Sequence, residues 1–237
     1  MGTIYLHGFT GNRTSFDEVR RHVEGASLAP ELSGHGATPA VSSWSEEVER
    51  LAGLVRAWST EPVTLVGYSN GARLGAGLLA AHPQLFRRAV LVGVNLGIDD
   101  DARPARCAWE DGLAARLRTD GLEAFVAHWE GLSLWASQQR LPPAVRARQR
   151  AVRLSHTAEG LARTLEVLGL GRMPDLRPAI EQLDVPIDLV VGALDAKFLA
   201  LSEAMAWPHV RRHIVADAGH NVVLEDPTRL AGIVAAS

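Results

Sequence analysis

The sequence predicts an α/β protein with a mostly parallel sheet, helices on both faces and an inserted helical cap. Two observations support this fold class. Short apolar runs, which are typical of buried strands, alternate with stretches of helical periodicity, and this alternation is the pattern of parallel strands joined by crossover helices. One long segment, in contrast, carries helical patterns alone.

Six apolar runs, bounded by turn residues, are predicted to form buried strands. In chain order they are TIYLHG, ASLAPEL, VTLVGYS, AVLVGV, PIDLVVGA and RRHIVADA. Apolar residues at helical spacing cover residues 43–58, 71–82 and 197–206. Between about residues 99 and 184 no convincing strand occurs, and helical patterns such as GLEAFVAHWEGL follow one another. We therefore expect a core formed by residues 1–98 and 185–237, with residues 99–184 as a helical cap.

Composition limits the classes of function. The chain has 237 residues, 47% of them hydrophobic, and a formal net charge of -3, which gives no reason to expect nucleic-acid binding. Its single cysteine, Cys107, excludes an internal disulfide, and no cysteine and histidine grouping has zinc-like spacing, so neither a metal nor a cofactor is expected. The chain shows no leader-like segment and no apolar run of about 18 residues, so we expect a cytoplasmic protein that does not insert into membranes. The sequence does not indicate an oligomeric state.

A glycine-flanked serine follows the third predicted strand, in GYSNG at residues 67–71. A serine hydroxyl needs an imidazole to take its proton and a carboxylate to fix the tautomer of that imidazole. Asp195 follows the strand in VVGALDAKF, and His220 follows the next one in ADAGHNVVLEDP. Ser69, Asp195 and His220 each lie where a parallel sheet presents residues at the carboxyl ends of its strands, so we predict that they form a catalytic triad.

An oxyanion or enolate formed at this site would need hydrogen-bond donors placed in advance. The backbone N–H of Phe9, after the first strand, and that of Asn70, after Ser69, are the candidates. His7 is expected to brace the neighbouring loop rather than to transfer protons, and the turn GHG at residues 34–36 is expected to be structural.

Five motifs together resemble the α/β-hydrolase superfamily along the whole chain: YLHGFTGN, ELSGHG, GYSNGAR, GALDAKF and AGHNVVLEDP. The resemblance implies the α/β-hydrolase fold. Within the superfamily the chain is similar to the MenH family, the 2-succinyl-6-hydroxy-2,4-cyclohexadiene-1-carboxylate synthases of menaquinone biosynthesis. This narrower similarity lies in the arginine after GYSNG, in the pair Lys197 and Phe198, and in the segment RLSHTAEGLARTLEVLGLGRMPDLRPAI.

The narrower resemblance implies a carbon–oxygen lyase that eliminates pyruvate from a succinylated cyclohexene carrying an enolpyruvyl ether. The triad would then remove a proton, and the oxyanion hole would hold the developing enolate. Since such a substrate bears three carboxylates, paired cations are expected around it. The residues that the resemblance places at the substrate are Tyr68, Arg73, Arg106, Trp129, Arg153 and Phe198. Residues 103–177 contain 12 arginines and 8 acidic residues, a local charge of +4, so the cap is the positive part of the chain.

Two alternative functions and the roles of three residues remain open at this level. The same triad would serve a carboxylesterase, thioesterase or lactonase, with Ser69 as a true nucleophile and the arginines as surface charge. A binding protein that keeps the fold without catalysis is a further possibility, against which the intact triad argues. Trp129 suits the core of the cap as well as a pocket wall, Lys197 suits a helix start, and the sequence does not say whether the Asn70 side chain reaches the substrate.

Overall fold

A six-stranded, all-parallel sheet forms the centre of the computed structural model, which describes residues 2–236. The strand order is β2-β1-β3-β4-β5-β6. The strands are β1 (Gly2–Leu6), β2 (Ala26–Leu28), β3 (Val63–Tyr68), β4 (Phe86–Val92), β5 (Ile187–Gly192) and β6 (Val210–Val215). Each of the six apolar runs identified in the sequence contains or overlaps one of these strands, so the predicted parallel sheet is confirmed.

Helices connect the strands, as parallel pairing requires. They are α1 (Asp17–Arg20), α2 (Trp44–Trp58), α3 (Asn70–Ala81), α4 (Arg103–Thr119), α5 (Gly121–Glu130), α6 (Pro143–Arg153), α7 (Ala158–Leu168), α8 (Arg177–Glu181), α9 (Ala196–Glu203), α10 (Val222–Glu225) and α11 (Pro227–Ala235), with 3-10 helices at Pro83–Leu85 and Ser133–Arg140. The three segments with predicted helical spacing correspond to α2, α3 and α9. No helix within residues 2–236 is both long and apolar enough to span a membrane.

The two faces of the sheet carry separate apolar clusters because successive side chains of a strand point to opposite faces. On one face Ile4, Leu65 and Leu91 pack with residues of α2, α3 and α8. On the other face Tyr5 and Val90 pack with residues of α1, α10 and α11. The sheet is therefore covered on both sides, and its strands are buried except near the β2 and β6 edges.

Between β4 and β5 the described chain is helical, and four of its helices build a third cluster. The residues of this cluster come from α4, α5, α7 and the 3-10 helix Ser133–Arg140, with Phe9 of the core packed against it. From the end of α7 onward the chain packs in the apolar cluster that contains Ile4, Leu65 and Leu91, since Leu168, Met173 and Ile180 belong to that cluster. We propose that the helical cap ends near the end of α7, whereas the boundaries 99–184 remain a prediction.

Candidate active site

A sharp turn between β3 and α3 presents Ser69. Its backbone has φ 51 and ψ -109, a left-handed conformation that residues other than glycine rarely adopt. Two hydrogen bonds hold the turn, because Ser69 N–H donates to the Val92 carbonyl at 2.8 Å and Arg73 N–H donates to the Ser69 carbonyl at 3.0 Å. The serine itself is only partly buried and lines a cavity.

The glycines on either side of Ser69 allow this turn because the surrounding backbone leaves no room for a side chain. A Cβ atom on Gly67 would lie 2.7 Å from the Ala72 Cα. A Cβ atom on Gly71 would overlap the carbonyl oxygens of Leu6 and His7. Helix α3 can therefore approach β1 and β3 closely only with glycine at both positions.

Ser69, His220 and Asp195 form a continuous hydrogen-bonded chain. The His220 Nε2 atom lies 3.1 Å from the Ser69 Oγ, and the His220 Nδ1 atom lies 2.8 Å from the Asp195 Oδ2. A carboxylate can only accept, so Nδ1 carries the ring proton and Nε2 is free to accept the serine proton. His220 and Asp195 are both buried, at 3% and 8% exposure, which keeps this arrangement out of bulk water.

The loop that carries His220 is fixed by contacts that the sequence did not indicate. Glu225 accepts from Gly219 N–H at 2.8 Å and from Asn221 N–H at 3.3 Å, and thereby closes the backbone around the histidine. The Phe198 ring centroid lies 4.3 Å from that of His220. Phe198 thus packs directly against the imidazole.

A cavity of about 450 Å³ opens beside Ser69. All the site residues predicted from the sequence line it except Arg153. The predicted residues that it brings together are Phe9, Tyr68, Ser69, Asn70, Arg73, Arg106, Trp129, Asp195, Phe198 and His220. Lys197 also lines this cavity and is exposed to solvent.

Arg153 lies behind this cavity rather than in its wall. It lines a neighbouring cavity that shares Phe9, Tyr68 and Trp135 with the Ser69 cavity. Its NH1 group donates to Glu130 at 2.9 Å, and its guanidinium lies 5.3 Å from the Trp135 ring centroid. Burial lowers the pKa of Arg153, and the hydrogen bond that it donates to Glu130 opposes that shift. Arg153 is thus not among the residues that line the Ser69 cavity, and its contact with a substrate stays a prediction.

Arg73 and Arg106 are the two arginines that line the Ser69 cavity. Arg106 donates through Nε to the buried carboxylate of Glu110 at 2.9 Å and stacks 4.5 Å from the Trp109 ring centroid. Its two terminal NH₂ groups have no hydrogen-bond acceptor among residues 2–236. Burial lowers the pKa of Arg73 to about 10, which still leaves its guanidinium positively charged at neutral pH. Both arginines can therefore pair with an anionic ligand.

Two backbone N–H groups beside Ser69 are free to bind an oxyanion. Asn70 is the first residue of α3, and the N–H groups of a first helical turn have no acceptor within the helix. Within the described part of the chain, neither the Asn70 N–H nor the Phe9 N–H donates to another group. We propose that these two donors form the oxyanion hole.

Four buried side-chain donors around the cavity also lack partners within residues 2–236. They are the Tyr68 hydroxyl, Asn70 Nδ2, Trp129 Nε1 and Trp135 Nε1. Burial raises the pKa of Tyr68 well above its ordinary value, so its hydroxyl stays protonated. All four can donate and only the tyrosine can also accept, and the four residues that carry them line the cavity.

The cavity residues that the sequence did not indicate include Trp109, Glu110 and Trp135. Trp109 and Glu110 lie on α4. Of the two, only Trp109 could have drawn attention in the sequence, by its residue type, and in the structure it is 43% exposed. Trp135 lies on a 3-10 helix, whose short repeat carries no amphipathic pattern of the α-helical kind.

A group of buried histidines supports the loops below the cavity. His7 accepts from Leu32 N–H at 3.1 Å and its Nδ1 lies 2.9 Å from the Gly8 carbonyl, so it spans two loops, as expected of a bracing residue. His35 accepts from Thr10 N–H at 3.3 Å. His156, in the loop between α6 and α7, accepts from Gly36 N–H at 3.0 Å and lies 3.2 Å from the Thr10 carbonyl. The loop next to Phe9 is thus tied to the cap.

The possible metal ligands within residues 2–236 are His, Cys, Asp and Glu side chains. In the part of the chain that the structure describes, no group of three or more His, Cys, Asp or Glu side chains is arranged to hold a metal ion.

Comparison with known proteins gives consistent matches. A family model described as "Alpha/beta hydrolase family" matches residues 4–233. A protein of Bacillus subtilis (strain 168), named "Putative 2-succinyl-6-hydroxy-2,4-cyclohexadiene-1-carboxylate synthase", is 35% identical over 240 residues, which cover 98% of this chain and 88% of that protein.

Solved structures agree with this match. MenH from S. aureus superposes with a TM-score of 0.93 at 25% identity, covering 99% of this chain and 91% of that one. A thermophilic esterase from Thermogutta terrifontis superposes with a TM-score of 0.85 at 22% identity, covering 99% of this chain and 88% of that one. The likeness to the esterase shows a common fold and nothing about the reaction.

Proposed function

The chain belongs to the α/β hydrolase family, and we propose that it is a carbon–oxygen lyase of the MenH type. Its substrate would be a cyclohexene that carries a carboxylate, a succinyl group and an enolpyruvyl ether, and its products would be pyruvate and 2-succinyl-6-hydroxy-2,4-cyclohexadiene-1-carboxylate. The observation that carries this proposal is the wall of the Ser69 cavity, where two arginines and four unpartnered donors surround the triad. The named relatives support the same reaction.

Binding is the first step. Arg73 and Arg106 pair with carboxylates of the substrate, because a charged group can leave water only with a charged or strongly donating partner. Trp129 and Phe198 supply flat apolar walls for the ring. Together these contacts would fix the substrate with its reactive carbon near Ser69, and such positioning removes much of the entropic part of a barrier.

Proton removal is the second step. The carbon that bears the succinyl ketone has an acidic proton, since the ketone oxygen can take the negative charge as an enolate. Ser69 removes this proton while its own hydroxyl proton passes to the Nε2 of His220, and Asp195 stabilises the resulting imidazolium. The N–H groups of Phe9 and Asn70 donate to the enolate oxygen as its charge develops.

Elimination completes the reaction. The electron pair of the broken C–H bond forms a ring double bond, the existing double bond shifts by one position, and the C–O bond to the enolpyruvyl group breaks. Pyruvate leaves as its enolate and takes a proton, which restores the neutral triad. No water is consumed and no acyl-enzyme forms, so Ser69 acts as a base and not as a nucleophile.

Ester hydrolysis is the alternative use of the same triad. The distances between Ser69, His220 and Asp195 would serve it equally well. A small neutral ester, however, gives Arg73 no charged partner, and desolvating a cation without a partner costs free energy. The lining of the cavity therefore favours the polyanionic substrate.

The experiment that tests this function compares two substrates on the purified protein. We expect rapid release of pyruvate from the succinylated enolpyruvyl cyclohexene, followed with lactate dehydrogenase and NADH, and slow cleavage of short-chain p-nitrophenyl esters. The lyase function is wrong if pyruvate is not released while the esters are cleaved rapidly. Ser69→Ala should greatly reduce either activity, so it tests the triad and not the substrate.

A further inference from the structure

The side chain of Asn70 is held in one orientation beside Ser69. It is 1% exposed, and its Oδ1 accepts from Arg73 NH2 at 2.8 Å. A guanidinium can only donate, so the atom that faces Arg73 must be the oxygen of the amide and not its nitrogen. The position of Nδ2 is therefore fixed by chemistry: it faces away from Arg73.

This nitrogen has no hydrogen-bond partner within residues 2–236. A buried amide N–H without an acceptor costs free energy, and native proteins hold few of them. The oxyanion donor at this position is the backbone N–H, which any residue other than proline would supply. The amide side chain is thus not needed for the oxyanion hole and has an unused donor next to the reacting serine.

The Asn70 amide also holds Arg73 in place without neutralising its charge. Its NH1 donates to the Leu168 carbonyl at 3.0 Å and lies 3.7 Å from the Met173 sulfur, while its NH2 donates to Asn70. These acceptors are all neutral, and among the described residues no carboxylate forms an ion pair with Arg73. Asn70 and Arg73 together therefore present a fixed positive charge with an amide donor next to it, on the wall of the Ser69 cavity.

We propose that the Asn70 side chain binds one carboxylate of the substrate through Nδ2 and, through Oδ1, positions Arg73 to bind the same group. This pair makes the site select an anionic over a neutral ligand. The inference rests on the proposed function, because it assigns part of that function's substrate binding to a side chain. Asn70 would then have two roles. Its backbone N–H donates to the enolate, and its side-chain amide donates to a carboxylate.

The test uses Asn70→Leu, which keeps the backbone N–H and the approximate size of the side chain but removes both amide contacts. We expect kcat/KM for pyruvate release to fall by about tenfold to a hundredfold, the range for losing a hydrogen bond to a charged group. The rate at which a neutral fluorophosphonate labels Ser69 should stay within about twofold of the wild type, because labelling needs the triad and the backbone donors but no carboxylate contact. An unchanged kcat/KM would overturn the inference.

Asn70→Asp serves as a second variant in case leucine disturbs the turn. Aspartate keeps the contact to Arg73 but replaces the amide donor with a charged acceptor, so we expect a larger loss of kcat/KM than with leucine. An aspartate variant as active as the wild type would also overturn the inference.

A third measurement keeps the inference separate from the proposed function. Succinate should slow fluorophosphonate labelling of wild-type Ser69, and about tenfold more succinate should be needed for Asn70→Leu, whereas the neutral analogue succinamide should protect neither protein. If the wild type releases no pyruvate, the proposed function fails whatever succinate does. If succinate protects both proteins equally, or neither, the role of the Asn70 side chain fails whatever the turnover.

Discussion

Two glycines set the turn at Ser69, and the atoms around them decide what a substitution would do. A methyl group on Gly71 would overlap the backbone carbonyls of Leu6 and His7, which belong to β1 and its exit and are unable to move aside. Gly53, in the middle of α2, has nothing within 4 Å of the position that a Cβ would take. The same substitution should therefore have opposite effects at these two positions.

We expect Gly71→Ala to lower the free energy of unfolding by about 2 to 3 kcal/mol, the cost of forcing a group into packed structure. Gly53→Ala, as the matched control, should raise the free energy of unfolding by about 0.5 to 1 kcal/mol, because alanine loses less backbone entropy in a helix. Urea unfolding at neutral pH measures both. Equal stability of the two variants would show that α3 does not approach β1 as closely as described.

The arginines of the cavity should differ from those of the surface. Arg73→Ala and Arg106→Ala should each reduce kcat/KM with the polyanionic substrate by an amount equivalent to about 2 to 5 kcal/mol, since each leaves a desolvated carboxylate unpaired. Arg118→Ala is the control, because this exposed arginine of α4 pairs with Glu159 and Glu166 at the protein surface. Steady-state kinetics of pyruvate release gives all three values. A cavity variant that matches the control has no contact with the substrate.

Single residues of the site were predictable where a local pattern placed them. Ser69, Asp195 and His220 each follow a strand, and the carboxyl ends of parallel strands meet at one edge, so their convergence follows from the fold class. Glu110 and Trp135 were not predictable, because they reach the cavity through the packing of the cap helices on one another. The place of Arg153 depends on the packing of α6, and it lines the neighbouring cavity, so its predicted contact with the substrate stays a prediction.

At the scale of elements, the junction between cap and core depends on the loop GHG at residues 34–36. A Cβ on Gly34 would overlap the Gly160 carbonyl, so α7 packs directly on this loop. The Thr164 hydroxyl of α7 donates to the Ser33 carbonyl at 3.0 Å, and His156 accepts from Gly36. The loop was expected to be structural, and the sequence did not indicate that its partner would be the cap.

This junction should respond to pH. Burial lowers the pKa of His35 well below its ordinary value of 6.5 and also lowers that of His156. Below about pH 6.5 the unfolded chain binds protons at these positions while the folded protein does not, so stability is complete above this pH and is lost as the pH falls below it. We expect the urea midpoint of the wild type to fall between pH 7.5 and about 5.5.

His35→Gln should make this decline shallower, because glutamine retains a donor and an acceptor but does not titrate. His22→Gln, at an exposed position, should keep the slope of the wild type. If His35→Gln keeps that slope as well, His35 is not the buried neutral group described here. The comparison needs only the change of the midpoint with pH, so a uniformly lower stability of His35→Gln does not affect it.

The strands and the longest helices were predictable as elements because a buried parallel sheet gives continuous apolar runs and α2 and α3 have regular apolar faces. The point at which the helical segment passes from the cap to the core was not predictable. Leu168, Met173 and Ile180 have the same apolar character as the residues of the cap, and only tertiary packing assigns them to the cluster beneath the sheet.

At the scale of the whole molecule, most arginines of the cap form ion pairs with neighbouring acidic side chains. Arg150 and Arg153 pair with Glu130, and Arg172 pairs with Asp111. A surplus of arginine in the sequence is therefore a poor guide to the field at the active site. In the wall of the Ser69 cavity, Arg106 pairs with Glu110 through Nε, and Arg73 pairs with no carboxylate among residues 2–236, so we propose Arg73 as the main anion-binding group.

We propose that the Ser69 site performs an elimination by removing the proton from the carbon that bears the succinyl group. The most direct test of this proposal supplies the purified protein with the succinylated enolpyruvyl cyclohexene and follows pyruvate together with the ultraviolet absorbance of the conjugated ring diene. We predict that the two products form in equal amounts, more slowly when deuterium replaces the proton on the carbon that bears the succinyl group, and about 10² to 10⁴ times more slowly with Ser69→Ala. Release of pyruvate without the diene, or formation of neither product by a folded protein that cleaves p-nitrophenyl esters rapidly, would contradict it.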